Sequence, residues 1–213
     1  MKENSNTRVA ITKSQKRMLA FGAILFHTEG QKILSVSFKN EYELFLNEIK
    51  DESQDREIAI KNLQHLLELG ESKKMDYLIG KQVLDATSVK KEISKKMKVS
   101  LQQINPVNST YAWDICRLVA KSKWYFWAGY ITREEMWNFI SKGVEQASEH
   151  GDDWESYTIS FLIGRKLAGF EIDGIVKQVK QVFFSRSPFL RKIKDIDVYK
   201  KYQFKYNKVI YTN

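Results

Sequence analysis

The sequence predicts an all-α fold: a compact multi-helix bundle around one buried central helix at about residues 111–128. Three observations point there. The 213-residue chain holds only ten glycines and two prolines, Pro106 and Pro188, few turn punctuators for a many-stranded β protein. Apolar residues make up 43% and aromatics 13%, enough for a core that needs neither disulfides nor metals. The stretch Tyr111 to Gly129, YAWDICRLVAKSKWYFWAG, is apolar almost all the way round. Its Asp114, Arg117 and Lys121 recur at helical spacing and form a single polar stripe, the pattern of a helix covered by its neighbours. The stretch is too short and too charged to span a membrane.

Taken in order, residues 1–11 read as a disordered N-terminus. Thr12 or Ser14 caps a helix carrying Met18, Leu19, Phe21, Leu25 and Phe26, with Gly30 as its stop. Ile33 to Phe38 alternates well enough for a short strand near 33–38, with helix continuing toward Leu46 as the equal alternative. Asp55 to Leu69 is amphipathic, with Gly70 just past its end. A short helix at Lys73 to Leu84 and a lysine-rich one at Val89 to Gln103 follow, closed by Asn105-Pro106. This N-terminal helical part, 12–104, meets a core bundle at 105–192. In the core, Thr132-Arg133-Glu134-Glu135 reads as a capping box, and Asp152-Asp153-Trp154-Glu155 repeats the device with Asp in the capping role. The helix it opens carries Ser160, Gly164 and Ala168 every four residues, which lets another helix approach closely. A last helix spans Gly174 to Phe184. Residues 193–213 form an irregular basic, aromatic tail with an extended edge at Lys208 to Tyr211.

The net charge is +9. From Ile175 to Asn213 ten Lys/Arg face only Asp195 and Asp197, so this end carries +8 of it. The lone Cys116 builds no disulfide framework or cysteine metal site and reads as a core side chain. The N-terminus has no apolar signal core: the run Met18 to Phe26 is nine residues long. A cytoplasmic protein without a membrane span is the expectation.

The run from Tyr111 to Arg165 also resembles a known family. WDICR at 113–117, Trp124, GYITREE at 129–135, DWESY at 153–157 and SFLIGR at 160–165 are similar to the signature of the bacterial domain-of-unknown-function family 1266. Leu66-Leu67-Glu68-Leu69-Gly70 with Met75-Asp76, and Ser187-Pro188-Phe189, resemble it more loosely, over 13–192. Gly169-Phe170 departs from the aromatic pair expected there. The resemblance implies a helical cytoplasmic domain and brings no established activity.

Candidate sites come in three groups. Asp114, Arg117, Glu134, Glu135 and Arg165 read as a structural ion-pair cluster, with Asp114 as the partner of a partly buried Arg165, or as a polar pocket for an anion or an acid/base pair. Trp113, Trp124, Trp127, Trp137 and Trp154 read as an aromatic core whose indole N–H groups each need a partner, or as an aromatic ligand pocket. Arg186, Arg191, Lys192, Lys194, Lys200, Lys201, Lys205 and Lys208, interleaved with aromatics, form a basic surface. It suits an acidic partner protein, or nucleic acid by phosphate neutralisation and base stacking, or serves as a solvated face whose aromatics cover the bundle. No metal site is expected, because His27, His65 and His150 lie on three separate segments. No cofactor is expected either, the glycines after 160 being too widely spaced for a phosphate loop. The first expectation is a non-catalytic interaction or regulatory module. The alternatives are nucleic-acid association through the tail, and an enzyme or anion-binding protein using Asp114, Arg117, Glu135 and Arg165.

Overall fold

In the computed structural model, residues 10–179 and 198–205 are described. Among them there are twelve α-helices and no strand, as the composition predicts. No helix of these residues is long and apolar enough to cross a membrane.

Helix α1 (Lys13–Ala20) starts at Thr12, whose hydroxyl accepts from the Gln15 amide while the Gln15 side chain bonds back to Thr12. A break at Phe21–Gly22 separates α1 from α2 (Ala23–Thr28). Residues 33–38 form neither the strand nor the helix expected as alternatives. Their backbone is held by side chains of the central helix instead. Lys123 Nζ donates to Lys32 O, Trp127 Nε1 to Val36 O, and Trp124 Nε1 to the Gln31 side chain. A 3-10 turn (Asn40–Tyr42) then leads into α3 (Glu43–Ser53).

Helix α4 (Arg56–Leu67) is capped by Asp55, which accepts from the Ile58 amide. Its end corrects the expectation for Gly70. Leu69 takes the left-handed conformation, with φ of 57°, and Gly70 is the first residue of α5 (Gly70–Gly80). The His65 ring lies over it, so that a Cβ at Gly70 would stand 2.1 Å from the ring and would make this exposed side chain swing away. The lysine-rich segment is two helices rather than one, α6 (Ala86–Met97) and α7 (Leu101–Ile104). Lys98 turns left-handed between them, and Ser100 and Gln103 make a fresh capping box.

Helix α8 (Tyr111–Ala128) is the centre. Every residue from Tyr111 to Trp127 is buried except Arg117, and α2, α3, α4, α5, α9 and α10 all pack on it. It closes at Gly129, left-handed at φ of 79°, with Tyr130 N–H bonded back to Tyr125 O. Helix α9 (Arg133–His150) opens with the Thr132–Glu135 capping box, and α10 (Trp154–Leu167) with Asp153 bonded to the Ser156 amide. On α10, Gly164 meets Trp113 so closely that a Cβ would lie 2.5 Å from the tryptophan Cβ. This is the close approach that the small-residue spacing predicts.

Helix α11 (Asp173–Val179) packs on α2 and α6, and α12 (Val198–Lys201) begins the last described segment. Residues 198–205 form part of the core. Val198 and Phe204 are buried, Tyr199 stacks on Trp154 at 4.2 Å, and Trp154 Nε1 donates to Tyr202 O. Buried Arg17 of α1 donates to the carbonyls of Gln203 and Phe204. The expected edge at 208–211 lies outside the described residues.

Candidate functional site

The amino end of α8 shows what Asp114 does. Thr110 and Ser109 precede the helix, and Asp76 of α5 accepts from the Thr110 amide (2.9 Å), the Thr110 hydroxyl (2.8 Å) and the Ser109 hydroxyl (2.6 Å). In return Asp114 of α8 is fully buried and accepts from the amide of Ser72 at 2.8 Å, in the first turn of α5. Leu69, the residue before α5, has no side-chain oxygen with which to cap it, so Asp114 performs that task from another helix. The Ser72 hydroxyl donates to Thr110 O at 2.9 Å, and Ser160 of α10 accepts from the Ala112 amide at 3.1 Å. Two helix starts are thereby satisfied inside the core. Burial raises the Asp114 carboxyl above its ordinary value, against the lowering effects of the Ser72 amide and of Arg117.

The five polar residues read as one cluster are dispersed. Arg117 stands beside Asp114, but at a long 3.5 Å, and its guanidinium lies 4.8 Å over the Trp113 ring. Arg165 makes no ion pair with Asp114. Its Nε donates to the Glu171 carbonyl at 3.0 Å and its guanidinium lies 5.2 Å from the Phe170 ring centre. Glu134 is exposed. Glu135 sits at the far end of α8, where Arg56 grips it bidentately at 2.6 and 3.0 Å while it closes the Thr132 box. The Arg56 bond is the largest effect that lowers the Glu135 carboxyl to about 2. An eighteen-residue helix spans roughly 27 Å, so residues at its two ends cannot share a pocket. That separation is implicit in the positions 114 and 135.

The five tryptophans also line no common pocket. Trp113 packs with Phe161 and Phe170. Trp124 bonds Gln31 and edges onto Phe45, and Trp127 bonds Val36 O and stacks on Tyr42. Trp154 sits among Phe21, Tyr199 and Phe204. The Trp137 indole N–H is buried without a hydrogen-bond partner, contrary to the partner expected for each.

Of the basic surface, Lys200, Lys201 and Lys205 are described, whereas Arg186, Arg191, Lys192, Lys194 and Lys208 lie outside the described residues. Lys205 pairs with Asp152. Lys201, Tyr202 and Gln203 meet Lys13 and Arg17 of α1 around a cleft of about 350 Å³. Sequence reading missed Lys13 and Arg17, which come from the opposite end of the chain. It also missed Asp76, Ser72 and Lys123, whose ammonium is fully buried 3.5 Å from the Phe26 ring centre and 4.7 Å from that of Trp127. The helix pattern hides such residues, because a lysine inside an apolar run looks like part of a solvated stripe.

Cys116 is fully buried and its thiol is pushed up to about 12 by that burial, so it is no nucleophile at neutral pH. Among the described residues no three metal-ligating side chains come together.

No curated protein and no solved structure matches the chain. Residues 52–187 match the family described as "Protein of unknown function (DUF1266)". That span takes in α4 to α11, the two helix starts held by Asp76 and Asp114 and all five tryptophans, and by it the chain belongs to the DUF1266 family.

Proposed function

We propose that the protein is a non-catalytic interaction module that takes an acidic segment of a partner protein on its basic C-terminal surface. The observation that carries this reading is the cleft lined by Lys13, Arg17, Lys201, Tyr202 and Gln203. It joins cations from the two ends of a chain whose net positive charge is concentrated in its C-terminal sequence. Arg17 builds the wall through its bonds to Gln203 O and Phe204 O, while Lys13 and Lys201 are exposed lysines that supply the attraction. A nucleic acid ranks below an acidic protein here, because two of the described aromatics of this segment are committed to the core: Tyr199 stacks on Trp154, and Phe204 is buried. The dispersal of Asp114, Glu135 and Arg165 speaks for a binding role over acid/base chemistry. The reading places the protein in the cytoplasm, where a lone thiol such as Cys116 stays reduced.

The test is a fluorescence-anisotropy titration with a labelled poly-glutamate peptide and a single-stranded oligonucleotide at equal salt. The double variant K13E/K201E should lose peptide binding at least tenfold, and K73E/K74E, of the same net charge on α5, should retain it. Equal loss in both variants, or preference for the oligonucleotide, overturns the reading.

A further inference from the structure

A second surface lies where the ends of α8 and α10 meet the turn after Leu167. Phe170 is a large aromatic left 50% exposed, 5.7 Å from the buried Trp113 ring. Each ring carries a guanidinium: Arg165 at 5.2 Å from Phe170, Arg117 at 4.8 Å from Trp113. The result is an unbroken sequence of guanidinium, phenyl, indole and guanidinium.

Arg165 is not neutralised at close range. Arg165 is half-buried, yet its one hydrogen bond is from Nε to the Glu171 carbonyl, and among the described residues no carboxylate lies within ion-pair distance of it. Glu29 is the acidic group that acts on it, from farther away, and the Glu171 side chain faces Lys166 instead. Arg117, by contrast, is paired with Asp114 at 3.5 Å. Burial of Arg165 opposes its charge, and a half-buried guanidinium without a counterion is stabilised by any anion that supplies one.

We propose that Arg165 and Phe170 bind a phosphate monoester carried on a flat ring, the chemistry of a nucleoside monophosphate. Arg165 presents the free fork that takes phosphate oxygens in pairs, and the exposed face of Phe170 is a platform on which a planar ring stacks. This site is separate from the basic cleft of α1 and the C-terminal segment.

Calorimetric titration of the full chain with adenosine monophosphate, and separately with inorganic phosphate, tests it. The nucleotide should saturate the protein more tightly than phosphate does. Phe170→Ala, at an exposed position, should leave the thermal melt unchanged and weaken the nucleotide by about tenfold or more without affecting phosphate. Arg165→Gln should weaken both. If that variant fails to fold, Arg165→Lys, which keeps the charge but loses the planar fork, should weaken the nucleotide in its place. K13E/K201E should bind it as the parent protein does. No saturation at millimolar nucleotide, or full binding by Phe170→Ala, overturns the proposal.

Discussion

Asp114 and Asp76 each hold the amino end of the helix that carries the other. Asp114 on α8 accepts from the Ser72 amide of α5, and Asp76 on α5 accepts from the Thr110 amide and the Ser109 and Thr110 hydroxyls at the start of α8. The exchange fixes the position of α5 along the central helix. It also gives the Ser72 and Thr110 amides their acceptors inside the bundle.

Asp114→Ala removes the acceptor and leaves the Ser72 N–H unpaired in the core, at a cost of about 1–3 kcal/mol. In a double-mutant cycle with Asp76→Ala, measured by urea unfolding, the two losses should couple by at least ~0.5 kcal/mol, because Ser72, held by Asp114, and Thr110, held by Asp76, are bonded to each other. Strict additivity would contradict reciprocal capping.

Asp114→Asn keeps an acceptor oxygen but does not titrate. The folded carboxyl of Asp114 is raised above its ordinary 3.8, so the folded state holds its proton more tightly than the unfolded chain does. Its contribution to stability is present in full below 3.8 and declines as pH rises through the raised value. The asparagine variant should therefore gain on the parent protein across that interval. A gain in the opposite direction of pH would contradict the burial of the charge.

Glu135 behaves with the opposite sign. Its carboxyl is lowered to about 2 from 4.5, so its stabilisation is present above 4.5 and fades as pH falls toward 2. The group and Arg56 are substantially solvated, with side chains 32% and 56% exposed, so Glu135→Gln should cost only about 0.5–1 kcal/mol at pH 7. The difference should vanish near pH 2 in acid titrations of unfolding.

Lys123 fastens residues 31–38 to the core through the carbonyls of Lys32 and Ser35. Lys123→Met retains the bulk and the contact with Phe26 and Trp127 but loses those bonds. Limited trypsin digestion should cut after Lys32 and Lys39 several times faster than in the parent protein, with cleavage within α9 unchanged. Equal cutting rates would show that the tryptophan bonds suffice.

Cys116, fully buried with its thiol at about 12, should resist iodoacetamide at pH 8 in the folded protein and react at once in urea. Labelling of the folded protein would contradict its enclosure by α2 and α10.

The sequence revealed the elements whose signals are local. The Thr132 cap, the Gly30 stop, the apolar wrap of α8 and the close approach at Gly164 are all properties of short windows, and an aspartate cap for α10 was legible too, although Asp153 bonds Ser156 and the box repeated over Asp152 to Glu155 does not form. The candidate cluster was not legible, because charge pairing inside a bundle depends on which helix faces which. Asp114 turns to α5 rather than to Arg165, and Glu135 finds Arg56 from 79 positions away. Residues 33–38 alternate like a strand, yet α8 side chains take their carbonyls and no strand partners them. The Lys13–Lys201 cleft joins the two ends of the chain, a relation no window contains.

The most direct test of the interaction reading is recovery of a partner from native cytosol with the parent protein, K13E/K201E and K73E/K74E, each with and without nuclease. The account predicts a defined acidic protein that survives nuclease, is lost with K13E/K201E and is kept with K73E/K74E. Recovery that collapses under nuclease, or that both variants share, would contradict it.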